Sequence, residues 1–162
     1  MKMLIIGHKR HGKDTAAEII KEMYGLTFMS SSQAAADIFI YNRLKDVYDY
    51  RLEVECFNDR INRRAEWFNL ISEYNSEDPA RLAKEIMSRS DVYVGMRSWR
   101  EIDQCMRINL FDLIIGVYDH RRELESADSF DIDLWRYSDI VIPNSGTIED
   151  LKNKIGKLCL KR

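Results

Sequence analysis

Nine residues near the start of the chain, GHKRHGKDT from Gly7 to Thr15, set three cations and two imidazoles between and beside two glycines. They follow an apolar run, Met3 to Ile6, and open a segment whose apolar residues recur at helical spacing. A helix start already carries the positive end of the peptide dipole, so cations gathered there call for an anion. Gly7, Gly12 and Lys13 satisfy GxxxxGK. In that motif converging backbone N–H groups hold phosphate oxygens and the lysine reaches the outer phosphates. The usual next residue, a serine or threonine for magnesium, is here Asp14, with Thr15 one place later. The plainer alternative is a glycine-bearing turn whose Lys9, Arg10 and Lys13 are solvated surface.

The GKDT ending resembles the phosphate loop of bacteriophage deoxynucleoside monophosphate kinases, which reads much like GxKRxGKDT. Gly7, Lys9, Arg10, Gly12, Lys13, Asp14 and Thr15 match it. It is also similar to the GKGT of nucleoside monophosphate kinases generally. Near the end, IVIPNSGTIEDL looks like the IxNxGTxEDL segment of these kinases and of dephospho-coenzyme A kinases. The resemblance implies a P-loop kinase in which residues 7–15, His11 included, hold the donor ATP or dATP, with Lys13 and Thr15 on its phosphates. It places the Asn144 to Thr147 loop, with Gly146, against the donor base. Asp14, Thr15 and Asp119 are the residues it leaves for magnesium.

Phosphoryl transfer needs two positioned substrates and neutralised charge rather than protein covalent chemistry, which directs attention to arginines near strand ends. In VYVGMRSWRE, Arg97 falls just past a strand, where the related kinases bring an arginine to the acceptor phosphate; Gly95 stands where they often have an acid. DRINRRAEW offers Arg60, Arg63 and Trp67 on one helical face, two forks for phosphate and a ring for a base. The competing picture buries Trp67 and pairs the arginines with Asp59, Glu66 or Glu55. Ser31, within Ser30 to Ser32, is a further acceptor contact, against a plain helix N-cap. By the same resemblance the region 119–138 is a lid supplying Arg121, Arg122 and Arg136. His8 and His11 read as loop residues rather than acid–base groups, and His120 as exposed.

These residues need a scaffold. Apolar runs at 3–6, 26–29, 92–96, 113–117 and 140–142 read as strands separated by helical patterns. Crossovers of that kind imply an α/β fold, a five-stranded mostly parallel sheet with helices on both faces, binding ligands at the carboxyl ends of its strands. Helices are expected over 15–24 with a stop at Gly25, over about 33–50, over 54–74 with a stripe of Phe57, Ile61, Ala65, Phe68 and Ile71, from about Pro79, and over 148–158. The reading is one domain over 1–162, with an acceptor-binding helical segment at 33–75 and the lid at 119–138.

With 162 residues, 45% hydrophobic and 32% charged, the composition is that of a globular protein. A net charge of −2 supplies no broad basic surface for nucleic acid. Cys56, Cys105 and Cys159 have neither metal spacing nor an even count, which fits a reducing cytoplasm, that of the host for a phage protein. No apolar stretch approaches a membrane span. The partners expected are nucleotide substrates, not nucleic acid or membrane, with a homodimer left open. The expected function is a (deoxy)nucleoside monophosphate kinase using ATP and magnesium. The alternatives are a kinase of another phosphorylated small molecule, such as dephospho-coenzyme A or phosphomevalonate, and a nucleotide-binding regulator. Neither DxxG after a strand nor NKxD supports a guanine-nucleotide switch.

Overall fold

In a computed structural model, which describes residues 1–158 and 160, the apolar runs form β1 (Met3–Ile6), β2 (Phe28–Ser30), β3 (Val92–Val94), β4 (Leu113–Tyr118) and β5 (Ile140–Pro143). Their order is β2-β3-β1-β4-β5, and each neighbouring pair is parallel. β1 lies in the middle, pairing Met3 with Val92 on one side and with Leu113 on the other. Its four side chains are fully buried, as expected for a continuously apolar strand covered on both faces. Successive residues face opposite ways: Leu4 and Ile6 join one core with Tyr93, Ile86 and Ile102, while Met3 and Ile5 join the other with Ile20 and Ile155.

The helices follow in chain order as α1 (Lys13–Tyr24), α2 (Ser31–Ala35), α3 (Tyr41–Tyr48), α4 (Glu53–Asp59), α5 (Arg64–Tyr74), α6 (Arg81–Arg89), α7 (Trp99–Arg107), α8 (Leu134–Tyr137) and α9 (Ile148–Gly156). α1 and α9 cover one face of the sheet; α2, α6 and α7 cover the other. The parallel five-stranded sheet with helices on both faces is therefore the expected architecture. α1 ends as its sequence dictates, with Gly25 at φ 68° returning its N–H to the Lys21 carbonyl at 2.9 Å.

The region 31–74 departs from expectation. The helix read over 33–50 begins at Ser31, passes through a π-helical turn at Ala36–Ile40 and ends at Tyr48, before Asp49 at φ 56°. The helix read over 54–74 is two helices broken at residues 60–63. Nothing in the backbone alphabet demands that break. The Asp59 carboxylate makes it by accepting from the Tyr50 hydroxyl, from Asn62 Nδ2 at 2.7 Å and from Arg63 Nε at 3.0 Å. Arg60, Arg63 and Trp67 thus do not share one helical face. The buried side differs in part: Trp67 sits in a third core with Ala35, Ile40, Leu44 and Cys56, and of the expected stripe Phe57 and Ile71 pack against it half-buried, while Ile61, Ala65 and Phe68 are exposed. Pro79 precedes rather than opens α6, whose first turn is set by Asp78 Oδ1 accepting from Ala80 N at 3.0 Å.

Cys56 and Cys105 are buried in different cores, and Cys159 lies outside the described residues. Among the described residues, no helix is long and apolar enough to cross a membrane.

Candidate active site

β1 ends at Ile6, and the chain turns through residues 7–12 before α1 starts at Lys13. Two positions in this loop have left-handed backbone, Arg10 at φ 65° and Gly12 at φ 96°. Gly12 is obligatory on two counts. A Cβ there would lie 2.1 Å from Asn144 Nδ2, and L side chains disfavour that φ. At the other end, a Cβ on Gly7 would lie 2.7 Å from the Val117 carbonyl of β4. Lys13 is buried against Gly95, where an added Cβ would stand 3.5 Å from its Cε and 3.6 Å from Ser31 Oγ. Those are ordinary packing distances; what calls for glycine after β3 is its left-handed backbone, φ 90°. Ser31 Oγ donates to the Gly95 carbonyl at 3.1 Å, and the cap of α2 is its neighbour Ser30, accepting from Gln33 N at 3.2 Å. Lys13 Nζ lies 3.3 Å from Asp14 Oδ2, with Asp14 largely in solvent.

His11 braces the loop from beneath. It is fully buried, and its Nδ1 accepts from Asp119 N at 3.0 Å while Nε2 lies 3.2 Å from the Glu123 carbonyl. A carbonyl only accepts, so Nε2 carries the proton and the ring is the neutral tautomer. Asn144 Nδ2 donates to the His11 carbonyl at 3.0 Å and so ties the loop to the end of β5. His8 Nδ1 accepts from Glu125 N at 3.0 Å. Burial lowers the His8 pKa and nearby His11 adds to this, keeping the acceptor lone pair free.

Arg97 stands past the carboxyl end of β3, on the loop side of the sheet. Its Nη1 donates to Glu125 Oε1 at 2.7 Å and to the Ser129 carbonyl at 3.2 Å, while Glu125 Oε2 accepts from Lys9 N at 2.6 Å. Burial opposes ionisation of Glu125, but the Arg97 hydrogen bond and charge, with the Lys9 amide and Lys13, outweigh it and lower its pKa. Arg121 grips Asp119 with Nε and Nη2, both at 2.9 Å, and Arg122 Nε lies 3.8 Å from the same carboxylate. The Arg121 hydrogen bonds hold the Asp119 carboxyl well below the usual range. Two cavities meet here. One, of about 410 Å³, has Lys9, Arg10, Arg121, Arg122 and Glu125 in its wall; the other, of about 220 Å³, runs from Gly12 and Thr15 to Asn144 and Thr147.

No family model matches the chain, and no curated protein does. Among solved structures it is similar to a dephospho-CoA kinase from Campylobacter jejuni, at 13% identity over 97% of this chain and 94% of that one, with a TM-score of 0.54. Shikimate kinases from Aquifex aeolicus and Bacteroides thetaiotaomicron align over 98% of this chain and 95% and 97% of theirs, at 11% and 10% identity and TM-scores of 0.51 and 0.52. The chain has the fold of a P-loop kinase.

In this P-loop kinase fold, the structure gathers Lys13, Ser31 and Arg97 with the phosphate loop and Arg121, Arg122 and Asp119 with its rim. Asn144 and Gly146 also line the second cavity, and Asn144 acts as a brace. Thr147 is the N-cap of α9: its Oγ1 accepts from Asp150 N at 3.1 Å, and Asp150 Oδ2 takes the Thr147 N–H at 2.8 Å. The GTIED stretch is thus a capping box. Arg60 lies over Phe57, 4.0 Å from the ring centroid, with Nη1 donating to the Phe57 carbonyl at 3.1 Å; burial, with Arg64 beside it, lowers its pKa against a smaller opposing effect of Asp14. Arg63 does not join it, being held by Asp59 and stacked 3.8 Å from the Tyr48 centroid. Trp67 is core and presents no open ring face. Arg136 is exposed, beside Tyr137. Glu125 and the bracing role of His11 escape sequence reasoning, because each rests on contacts more than a hundred residues away.

Among the described residues no three His, Cys, Asp or Glu side chains converge as a metal cage. Of the residues expected to hold magnesium, Asp14 is ion-paired with Lys13 but largely in solvent, Thr15 is exposed at the start of α1, and both Asp119 oxygens accept from Arg121.

Proposed function

We propose that the chain is an ATP-dependent (deoxy)nucleoside monophosphate kinase, one catalytic domain over residues 1–162. The observation that carries this reading is the placement of Arg97 across from the phosphate loop, close enough that one carboxylate touches both. A donor triphosphate on the loop amides and Lys13 would then face an acceptor phosphate on Arg97. An acceptor phosphate oxygen attacks the γ-phosphorus, the bond to the β–γ bridging oxygen breaks, and ADP leaves with that electron pair. Asp14 and Thr15 would hold magnesium, which would neutralise the triphosphate charge. The loop amides and Lys13 fix the donor, Arg97 and Ser31 orient the acceptor, and Arg121 and Arg122, in a lid at 119–138, stabilise the moving group as water is excluded. The segment 33–75 would form the acceptor side, with Arg60 its remaining candidate, since Arg63 is paired with Asp59 and Trp67 is buried.

A second reading, a kinase of another phosphorylated small molecule, is favoured by IVIPNSGTIEDL and by the fold shared with a dephospho-CoA kinase. A coupled assay of ADP release across the common ribo- and deoxyribonucleoside monophosphates, with coenzyme A precursors beside them, separates the two. ADP release that depends on a nucleoside monophosphate is the expected result. Turnover only with a coenzyme A precursor would transfer the assignment to the second reading.

A further inference from the structure

The carboxylate of Glu125 occupies the space where the two halves of the site meet. Its oxygens take one N–H from the phosphate loop, Lys9 N at 2.6 Å, and one from Arg97 at 2.7 Å. Its own N–H is held by His8 Nδ1 at 3.0 Å, and its side chain is only 16% exposed. The residues after it are fastened to the end of β3: Arg97 Nη1 donates to the Ser129 carbonyl, Asp131 N donates to the Arg97 carbonyl at 3.1 Å, and Trp99 N donates to Asp131 Oδ1 at 2.7 Å. The stretch from Arg121 to Glu125 thus lies over the loop as a strap, pinned at 129–131 and closed by one charged side chain.

We propose that Glu125 is an internal anion that holds the acceptor-phosphate position on Arg97 and the loop, and that an acceptor must displace it to bind. This rests on the kinase reading and narrows its substrate class. A tethered carboxylate competes at high effective concentration against any free anion of its own kind. It offers two oxygens and one charge. A phosphate monoester offers three oxygens and nearly two charges at neutral pH, so it alone outbids the tether at an arginine fork. Acceptors bearing only a carboxylate, or no anion, have no such advantage. The device selects phosphate monoesters, and it keeps Arg97 and the Lys9 amide satisfied until one arrives.

The test is calorimetry with ADP and magnesium saturating the loop, titrating inorganic phosphate and, separately, acetate into the wild type and Glu125→Gln. Losing the charged tether on Arg97 is expected to tighten phosphate binding by about fivefold or more and to narrow the preference for phosphate over acetate. Equal or weaker phosphate binding in the variant overturns the proposal. A measurement on the wild type does not depend on how the variant folds: hydrogen exchange of residues 123–130 should rise on adding inorganic phosphate and stay flat with the same concentration of acetate. Unchanged exchange, or added protection with phosphate, also overturns it. The failures are distinguishable. Absence of ADP binding removes the kinase reading and leaves the exchange result standing, whereas active phosphotransfer with unmoved exchange removes only the latch.

Discussion

The chemistry of the site depends on a few backbone positions that tolerate nothing larger. Gly12 is the sharpest case, with φ 96° and an amide nitrogen of Asn144 in the place of any Cβ. Gly12→Ala should cost about 1–2 kcal/mol from the left-handed conformation alone. It should cost more if Asn144 cannot withdraw from the His11 carbonyl. Chemical denaturation checks the stability, and an ATP titration the function; a variant equal to wild type in both would show that the loop is not held as described. The motif that names Gly12 is local, which is why it is legible from nine residues. The tautomer of His11 is not, because its two partners, Asp119 N and the Glu123 carbonyl, lie on a segment over a hundred residues distant.

At the scale of elements, β2, expected over 26–29, is the half-buried Phe28–Ser30, whereas the other strands are legible because each contains an apolar run. The break between α4 and α5 is not, since no glycine or proline marks it and a side chain, Asp59, makes it. The same kind of side-chain wiring joins α5, α6 and α7. Asn75 Nδ2 donates to Glu101 Oε1 at 3.0 Å, and Asn75 Oδ1 accepts from Leu82 N at 3.1 Å. Burial pushes the Glu101 carboxyl up to about 7. An unfolded chain loses this proton near the ordinary value of 4.5, whereas the folded chain keeps it until about 7. Stability is therefore lost as pH rises through that window and the loss is constant above it. Glu101→Gln keeps the acceptor for Asn75 and removes the penalty, so it should gain on the order of 1–3 kcal/mol at pH 8 and little at pH 4.5. Denaturation midpoints across pH decide this; parallel profiles for the two proteins would contradict it.

Over the whole molecule, the sheet order sets β3 beside β1 and thereby brings Arg97 to the phosphate loop. The two ends of the site are then separable by mutation. Arg97→Ala should raise the acceptor KM or lower kcat while sparing ATP affinity, and steady-state kinetics with each substrate varied will show which side is lost. An equal loss of ATP binding would place Arg97 on the donor side. The alternation of strands and helices foretells this sheet, yet the strap that closes over it is invisible to pattern: Glu125 is one acid among several in a charged stretch until the fold sets it against Lys9 and Arg97.

The claim on which all of this depends is that residues 7–15 hold the triphosphate of ATP. Isothermal titration of ATP with magnesium into wild type and Lys13→Ala tests it directly. Saturable one-to-one heat in the wild type, weakened at least about tenfold in the variant by loss of a charge-assisted phosphate contact, is the predicted result. No heat with the wild type, or the same affinity in both, would contradict it.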